Sequence, residues 1–441
     1  MSVRPSASAA LKSIPSARSF ASTSTARLPP KPKLGSKAAL WARNKKNTAD
    51  GDDAASTGSG AGNALSEVTL PPPDLSGLKV MHPESLTKAA VGDVRAFPAP
   101  ALDIFKVLSV PTSIKNEHAF TPKPATVVRN VTLEVTSVLD AGRKASSKES
   151  RHVLDGGVGT GKSTLLLQAV SYAASTDWVV LYLPSATPLV NSSTPHLYSS
   201  ARNLFDQPVL SASLLTKFST ANKAAFKALK TSQEWAFGER KVAKGKSLEE
   251  LCKAAGGDEK LVTSVFEAVI EELSAQKERP VLLAIDDAQS LFATSAYVDP
   301  TYQAIETFSL IVPRMLLGFV SGQRTFATGS VLLCASSVSP HPSPAMTDFL
   351  SPPSPSALPS AYDRARLASY PTYAAILASG VRKLAVPARL DRTEAVGIVK
   401  LLQGWRGVRE QVSDRAFVER LVATDGNPRE FAKALGKTLA V

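Results

Sequence analysis

Two cysteines, Cys252 and Cys334, are all that the 441 residues contain, and no histidine stands near either at metal-ligand spacing. That excludes a disulfide framework and a structural zinc site, and it suits a reducing compartment. The histidines, His82, His118, His152, His196 and His341, are scattered and read as ordinary surface or packing residues. No uninterrupted apolar run approaches the roughly 18 residues that span a bilayer, so no membrane insertion is expected. Acidic residues are missing altogether from positions 1–49, which carry ten Lys and Arg. The net charge of +13 is therefore mostly a property of this leader, because the rest of the chain holds 41 basic against 38 acidic groups.

What is present is the composition of a soluble globular protein, 44% hydrophobic and 20% charged, long enough for two domains or one large domain with appendages. Positions 1–49, rich in Ser, Ala and Arg, have the composition of a mitochondrial transit peptide, and Arg18-Ser19-Phe20-Ala21 marks a cleavage site after Phe20. The alternative is a basic tail for RNA or a membrane surface. Positions 50–76 are a Gly-, Ser- and Pro-containing flexible linker. Positions 77–124, with several prolines, predict an extended arm, and the spacing of Val128, Val131, Val135 and Val138 predicts a helix over 125–142.

Positions 156–163 read G-x-x-x-x-G-K-S, the form of a phosphate-binding P-loop. Gly156, Gly157, Val158, Gly159, Thr160 and Gly161 supply backbone N–H groups that turn inward on phosphate oxygens, which only a Gly-rich turn permits. Lys162 adds a mobile positive charge, Ser163 a hydroxyl for Mg²⁺, and Thr164 continues into a strong helix former whose N-terminus faces the phosphates. The apolar pair Val153-Leu154 leads in as a strand.

Downstream, 178–183 (WVVLYL) reads as a buried parallel strand and 185–210 as a long polar connection. Over 214–246, Lys217, Lys223, Lys227, Lys230, Arg240, Lys241, Lys244 and Lys246 face only Glu234 and Glu239, with Phe218, Phe226, Trp235 and Phe237 interleaved. Two readings stand side by side: an RNA-binding insertion whose aromatics stack on bases, or a solvated face whose aromatics are core. Helices are predicted over 247–273 with a break at Gly256-Gly257-Asp258, and over 303–319 with a break at Pro313. Positions 280–287 form an apolar strand ending in two acids, a Walker B element: Asp286 is the candidate for holding Mg²⁺, and Asp287 stands where many ATPases place the Glu that polarises the attacking water. The strand 330–335 would bring Ser336 toward a terminal phosphate, and 338–360, with seven prolines, predicts a loop. Positions 381–386 read as one more strand. In the last segment, Pro428 takes the first helical position after the Gly426-Asn427 turn and sets Arg429 in the first turn, where many P-loop ATPases offer an Arg to the nucleotide; an ordinary surface Arg is the equal alternative.

In this order the motifs resemble the mitochondrial ribosomal small-subunit family also called death-associated protein three, in a fungal form. The residues that carry the likeness are the P-loop, WVVLYLPSA, Leu189-Val190-Asn191-Ser192-Ser193, Asp206-Gln207-Pro208, the IEEL of 270–273, Asp286-Asp287 and Gly426-Asn427-Pro428-Arg429-Glu430, which together cover roughly 120–441. The resemblance implies a mitochondrial matrix protein of the ribosome's small subunit, with a bound purine nucleotide commonly regarded as GTP. It also implies contacts to ribosomal RNA, neighbouring ribosomal proteins and the large subunit. An N-K-x-D box for guanine is absent, since Asn222-Lys223-Ala224-Ala225 lacks the acid, so ATP stays open.

The expected fold is a three-layer α/β P-loop NTPase of the AAA+/STAND type. Its sheet is mainly parallel, over 125–390, followed by a small helical domain over 391–441. Asp287 is one carbon shorter than Glu, so slow or absent hydrolysis is expected. The competing function is a working matrix ATPase or GTPase that acts as a switch or remodelling factor.

Overall fold

A parallel strand covered on both faces must be apolar at nearly every position, and VVLYL, VLLAI and SVLLC meet that demand. In the computed structural model, which describes residues 77–119, 123–336, 343–352, 369–405 and 412–436, these runs lie in β2 (Val179–Leu183), β3 (Val281–Ile285) and β4 (Gly329–Cys334). They share one sheet with β1 (Arg151–Asp155) and β5 (Arg382–Ala385). All pairings are parallel and the order is β5-β1-β4-β3-β2. Every residue of β2, β3 and β4 is buried, whereas edge strand β5 exposes Arg382, Lys383 and Ala385. The register sets Val331 opposite Arg151, Gly329 opposite Val281, and Arg382 opposite His152. All five strands therefore end on one edge, where an open α/β sheet binds its ligands.

Helices α1 (Asn130–Gly142), α2 (Lys162–Ser175), α3 (Pro208–Ala221), α4 (Glu259–Ala275) and α5 (Ile311–Ser321) contribute to the main core. α2 buries Leu165, Leu166, Leu167 and Val170, and α3 meets α4 through a Phe218–Phe266 stack at 6.3 Å. α4 starts where Asp258 accepts a hydrogen bond from the Lys260 N–H, at the expected Gly256-Gly257-Asp258 break. Further along, α6 (Arg392–Gly404), Asp414–Ala423 and α7 (Pro428–Gly436) close around a separate core of Leu390, Ala395, Val399, Phe417, Phe431 and Leu435. Among the described residues no helix is long and apolar enough to cross a membrane.

Several local expectations are corrected. Residues Ala125–Val127 form a strand antiparallel to Val94–Ala96, so the helix expected from 125 starts only at Asn130. Three residues able to pair in a sheet win over the helical spacing because the partner strand lies upstream. The stretch 77–119 holds the helices Ala99–Leu108 and Thr112–Ala119 and buries Met81, Phe97, Phe105 and Leu108 in the main core, so it is not extended. Ala304–Glu306 is a strand paired with Thr294–Val298, and Pro313 sits in the first turn of α5 instead of breaking it, since a helix needs no N–H there. Within the proline-rich stretch, Pro344–Leu350 is a helix: Ser343 accepts from the Met346 N–H, and Pro344 takes the first position. The transit-peptide, cleavage-site and linker expectations at 1–76 lie outside the described residues.

His152, on β1, is 9% exposed with no partner for Nδ1, and burial, reinforced by nearby Arg382, lowers its pKa to about 4. Between pH 6.5 and 4 the unfolded chain binds a proton here that the native state does not, so stability falls with falling pH. The expected loss across this window is roughly 3 kcal/mol. Urea denaturation of wild type and His152→Leu at several pH values checks it: the variant should lack this share of the slope.

Candidate functional site

β1 ends at Asp155 and the chain turns through a glycine-rich loop before α2 begins at Lys162. Gly161, directly before α2, has φ 89° in the left-handed region, and Gly159 has φ 79°. A Cβ on Gly159 would stand 2.5 Å from Asn427 Oδ1 and 3.0 Å from Arg429 Cβ, so glycine alone permits this approach of loop and C-terminal turn. Thr160 Oγ1 donates to the Gly157 carbonyl at 3.0 Å and stiffens the loop. Gly157 and Val158 are exposed at its tip.

The Lys162 ammonium donates to the Gly156 and Gly157 carbonyls, the latter at 2.8 Å, which holds its charge inside the loop. Burial pulls its pKa down, opposed by the negative charge at Asp155 and Asp286. Asp286, 3% exposed at the end of β3, accepts a hydrogen bond from the Asp287 N–H at 2.9 Å and stands beside the Ser163 hydroxyl and the Cys334 thiol. Burial pushes the Asp286 carboxyl up, and these three neighbours oppose it. Thr164 follows, partly buried, in the first turn of α2.

Ser163 and Asp286 are thus brought together from α2 and β3. Their hard oxygen donors suit Mg²⁺, which takes one or two protein groups plus phosphate and water oxygens. No group of three or more His, Cys, Asp or Glu that could hold a metal occurs among the described residues, so nothing here resembles an all-protein metal cage. Asp287 is engaged by a different partner: its backbone is left-handed at φ 52°, and its carboxylate accepts from the Ser185 hydroxyl, just beyond β2, at 2.8 Å. Ser336, just beyond β4, has its N–H bonded to Gln289 Oε1 at 2.8 Å.

Two clasps hold the loop from outside. Asn427 Nδ2 donates to the Val158 carbonyl at 2.8 Å, and the Arg429 N–H to the Gly159 carbonyl at 3.1 Å. The exposed Arg429 side chain lies close enough to Lys162 to lower its pKa. On the other side Arg129 donates from Nη1 to the Thr160 carbonyl at 2.7 Å, from Nη2 to the Pro387 carbonyl at 3.3 Å, and from Nε to Glu394 at 3.0 Å.

The sequence matches the family model described as mitochondrial ribosomal death-associated protein 3 over residues 126–434. The chain belongs to this family. Relatives include the small ribosomal subunit protein mS29 of Neurospora crassa, 28% identical over 263 residues, or 59% of this chain and 55% of that one. The mS29 of Schizosaccharomyces pombe is 26% identical over 273 residues, 58% of this chain and 55% of that one, and the mouse mS29 is 30% identical over 168 residues. The alignments span just over half the length of the two fungal relatives, at 55% of each.

The matched segment takes in both clasps. Sequence reasoning missed Arg129, Glu394, Cys334 and Ser185. Asp391-Arg392-Thr393-Glu394 does carry a signal, a capping box at the start of α6, but nothing in it names Arg129 as partner. The eight basic candidates Lys217, Lys223, Lys227, Lys230, Arg240, Lys241, Lys244 and Lys246 are all exposed. The aromatics among them are mostly turned inward: Phe218, Phe226 and Phe237 are buried, and the half-buried Trp235 donates from Nε1 to Glu272 at 2.6 Å and stacks on Phe237.

Proposed function

We propose that the chain is a structural component of the mitochondrial ribosome's small subunit that holds a purine nucleoside triphosphate with Mg²⁺ on a P-loop NTPase fold. The reading rests chiefly on the juxtaposition of Ser163, at the start of α2, with Asp286, at the end of β3, beside the Lys162 ammonium that the loop carbonyls hold. It is the pairing a P-loop site needs to place a metal between protein and phosphate. Ser163 would hold Mg²⁺ directly and Asp286 through water, and the ion would neutralise phosphate charge. Gly156, Gly157, Val158, Gly159, Thr160 and Gly161 wrap the phosphates, Lys162 meets the terminal ones, and Arg429 reaches in from α7. GTP is the nucleotide the family resemblance implies, and ATP is the competing occupant. The names of the relatives support the ribosomal role, and the acid-free leader supports import into the matrix. Ribosomal RNA, neighbouring small-subunit proteins and the large subunit are the partners.

The site favours holding a nucleotide over turning it over. Asp287 has the shorter arm and its carboxylate is engaged by Ser185, so it is poorly placed to polarise water. Steady-state hydrolysis by the wild type is expected at the background rate, unchanged by Asp287→Ala. A wild-type rate that falls at least about tenfold in that variant would instead mean a working enzyme with Asp287 as its base. Sedimentation of the tagged chain with mitochondrial small subunits checks the ribosomal half of the reading, and a chain found only in the free pool would end it.

A further inference from the structure

Part of the basic segment folds together. Lys223 and Lys227 lie four apart on the helix Lys223–Ala228, on one side of it. Lys230 bridges to Ser247 across an antiparallel pair, the Thr231 N–H donates to the Lys246 carbonyl at 2.8 Å, and Thr231 Oγ1 to the Ala243 carbonyl at 3.0 Å. These bonds bring 227–231 beside 243–248. Lys223 and Lys227 are near enough to Glu249 to lower its pKa, although its largest interaction is the hydrogen bond from Lys253.

Two acids beside these lysines are already engaged, Glu249 by Lys253 at 2.8 Å and Glu250 by Lys246 at 3.2 Å. Lys217, Lys223, Lys227, Lys230, Lys241 and Lys244 are exposed and make no ion pair among the described residues. Such a field attracts phosphate. The groups that would read unpaired bases are withdrawn: the three phenylalanines are buried, the Trp235 N–H is held by Glu272, and the Arg240 guanidinium donates to the Ala254 and Ala255 carbonyls. Single-strand recognition needs exposed aromatic or guanidinium planes, whereas the backbone of a duplex needs only mobile point charges.

We propose that this lysine face binds the phosphate backbone of double-stranded RNA without reading its sequence. The proposal rests on the ribosomal reading above and specifies which form of RNA this surface meets. The test measures binding of the full chain and of a Lys223→Glu/Lys227→Glu/Lys230→Glu variant to a duplex of about 20 base pairs and to a single strand of equal length, across a salt series. A circular-dichroism melt confirms that the variant is folded, and single Glu substitutions replace it if it is not. On the duplex the variant should lose at least about tenfold in affinity, and its log–log salt slope should fall by about one per lysine. On the single strand the loss should stay below about threefold. Equal losses on both RNAs, or none on the duplex, overturn the proposal. Gradient sedimentation separates the two readings: wild type absent from small subunits removes the ribosomal role, whereas wild type present with duplex binding unchanged in the variant removes only the lysine face.

Discussion

Glu394→Ala is expected to destabilise the folded chain by about 3–5 kcal/mol, the range for removing one member of a buried ion pair. The Glu394 side chain is 5% exposed and that of Arg129 11%, so water can do little to replace their contact. One carboxylate serves four donors: Arg129 Nε at 3.0 Å, the Asn130 N–H at 2.9 Å, Asn130 Nδ2 at 3.5 Å, and the Asp391 N–H at 3.4 Å. Alanine would leave the guanidinium with two carbonyls and no counter-charge, and would open the capping box of α6. Glu394→Gln keeps an acceptor and the volume, so its loss should be smaller. Urea denaturation ranks the two variants. Hydrogen exchange should show the alanine change spreading to the amides of α6 and of 156–161, because Arg129 ties both to the same point. A loss under about 1 kcal/mol would mean that the pair contributes no more than a surface bridge.

The second large effect concerns Lys162. Its ammonium is the one side-chain charge enclosed by the glycine-rich loop, held by the Gly156 and Gly157 carbonyls beside Asp286 and Asp155. Lys162→Ala removes the group expected to meet the terminal phosphates. Hydrogen bonds to charged groups contribute about 1.5–3 kcal/mol each, so triphosphate should bind roughly 10- to 150-fold more weakly. Diphosphate, which lacks the terminal group, should lose less. Isothermal titration with Mg²⁺ present measures both. Because two carbonyls lose their donor, the variant's melting temperature should be taken alongside. A folded variant that binds triphosphate as tightly as wild type would take Lys162 out of the site.

Much of this arrangement is legible in the chain. β2, β3 and β4 declare themselves because strands covered on both faces must be continuously apolar, and the spacing from Gly156 to Ser163 is demanded by the loop's geometry. The segment Ala125–Val127 is not legible in the same way. Its β-branched residues run straight into a helix of compatible spacing, and only the partner Val94–Ala96 decides the boundary. The clasp between Arg129 and Glu394 joins positions 265 apart, a separation that leaves no periodicity to detect. The Ser163–Asp286 contact was expected from its motifs, but the Cys334 thiol on the same carboxylate follows from the sheet order, which sets β4 between β1 and β3. In the basic segment, charge alone leaves RNA and solvent as equal partners. Packing then separates the exposed lysines from the aromatics, which turn inward against the core and Glu272.

Mass spectrometry of the nucleotide released from the full chain purified in mitochondrial small subunits, set beside the Lys162→Ala chain, bears most directly on a nucleotide that is held and not turned over. An intact purine triphosphate from the wild type, lost from the variant while the variant still sediments with small subunits, is the expected result. Diphosphate in the wild type that exchanges on adding triphosphate, or no nucleotide at all, would contradict it.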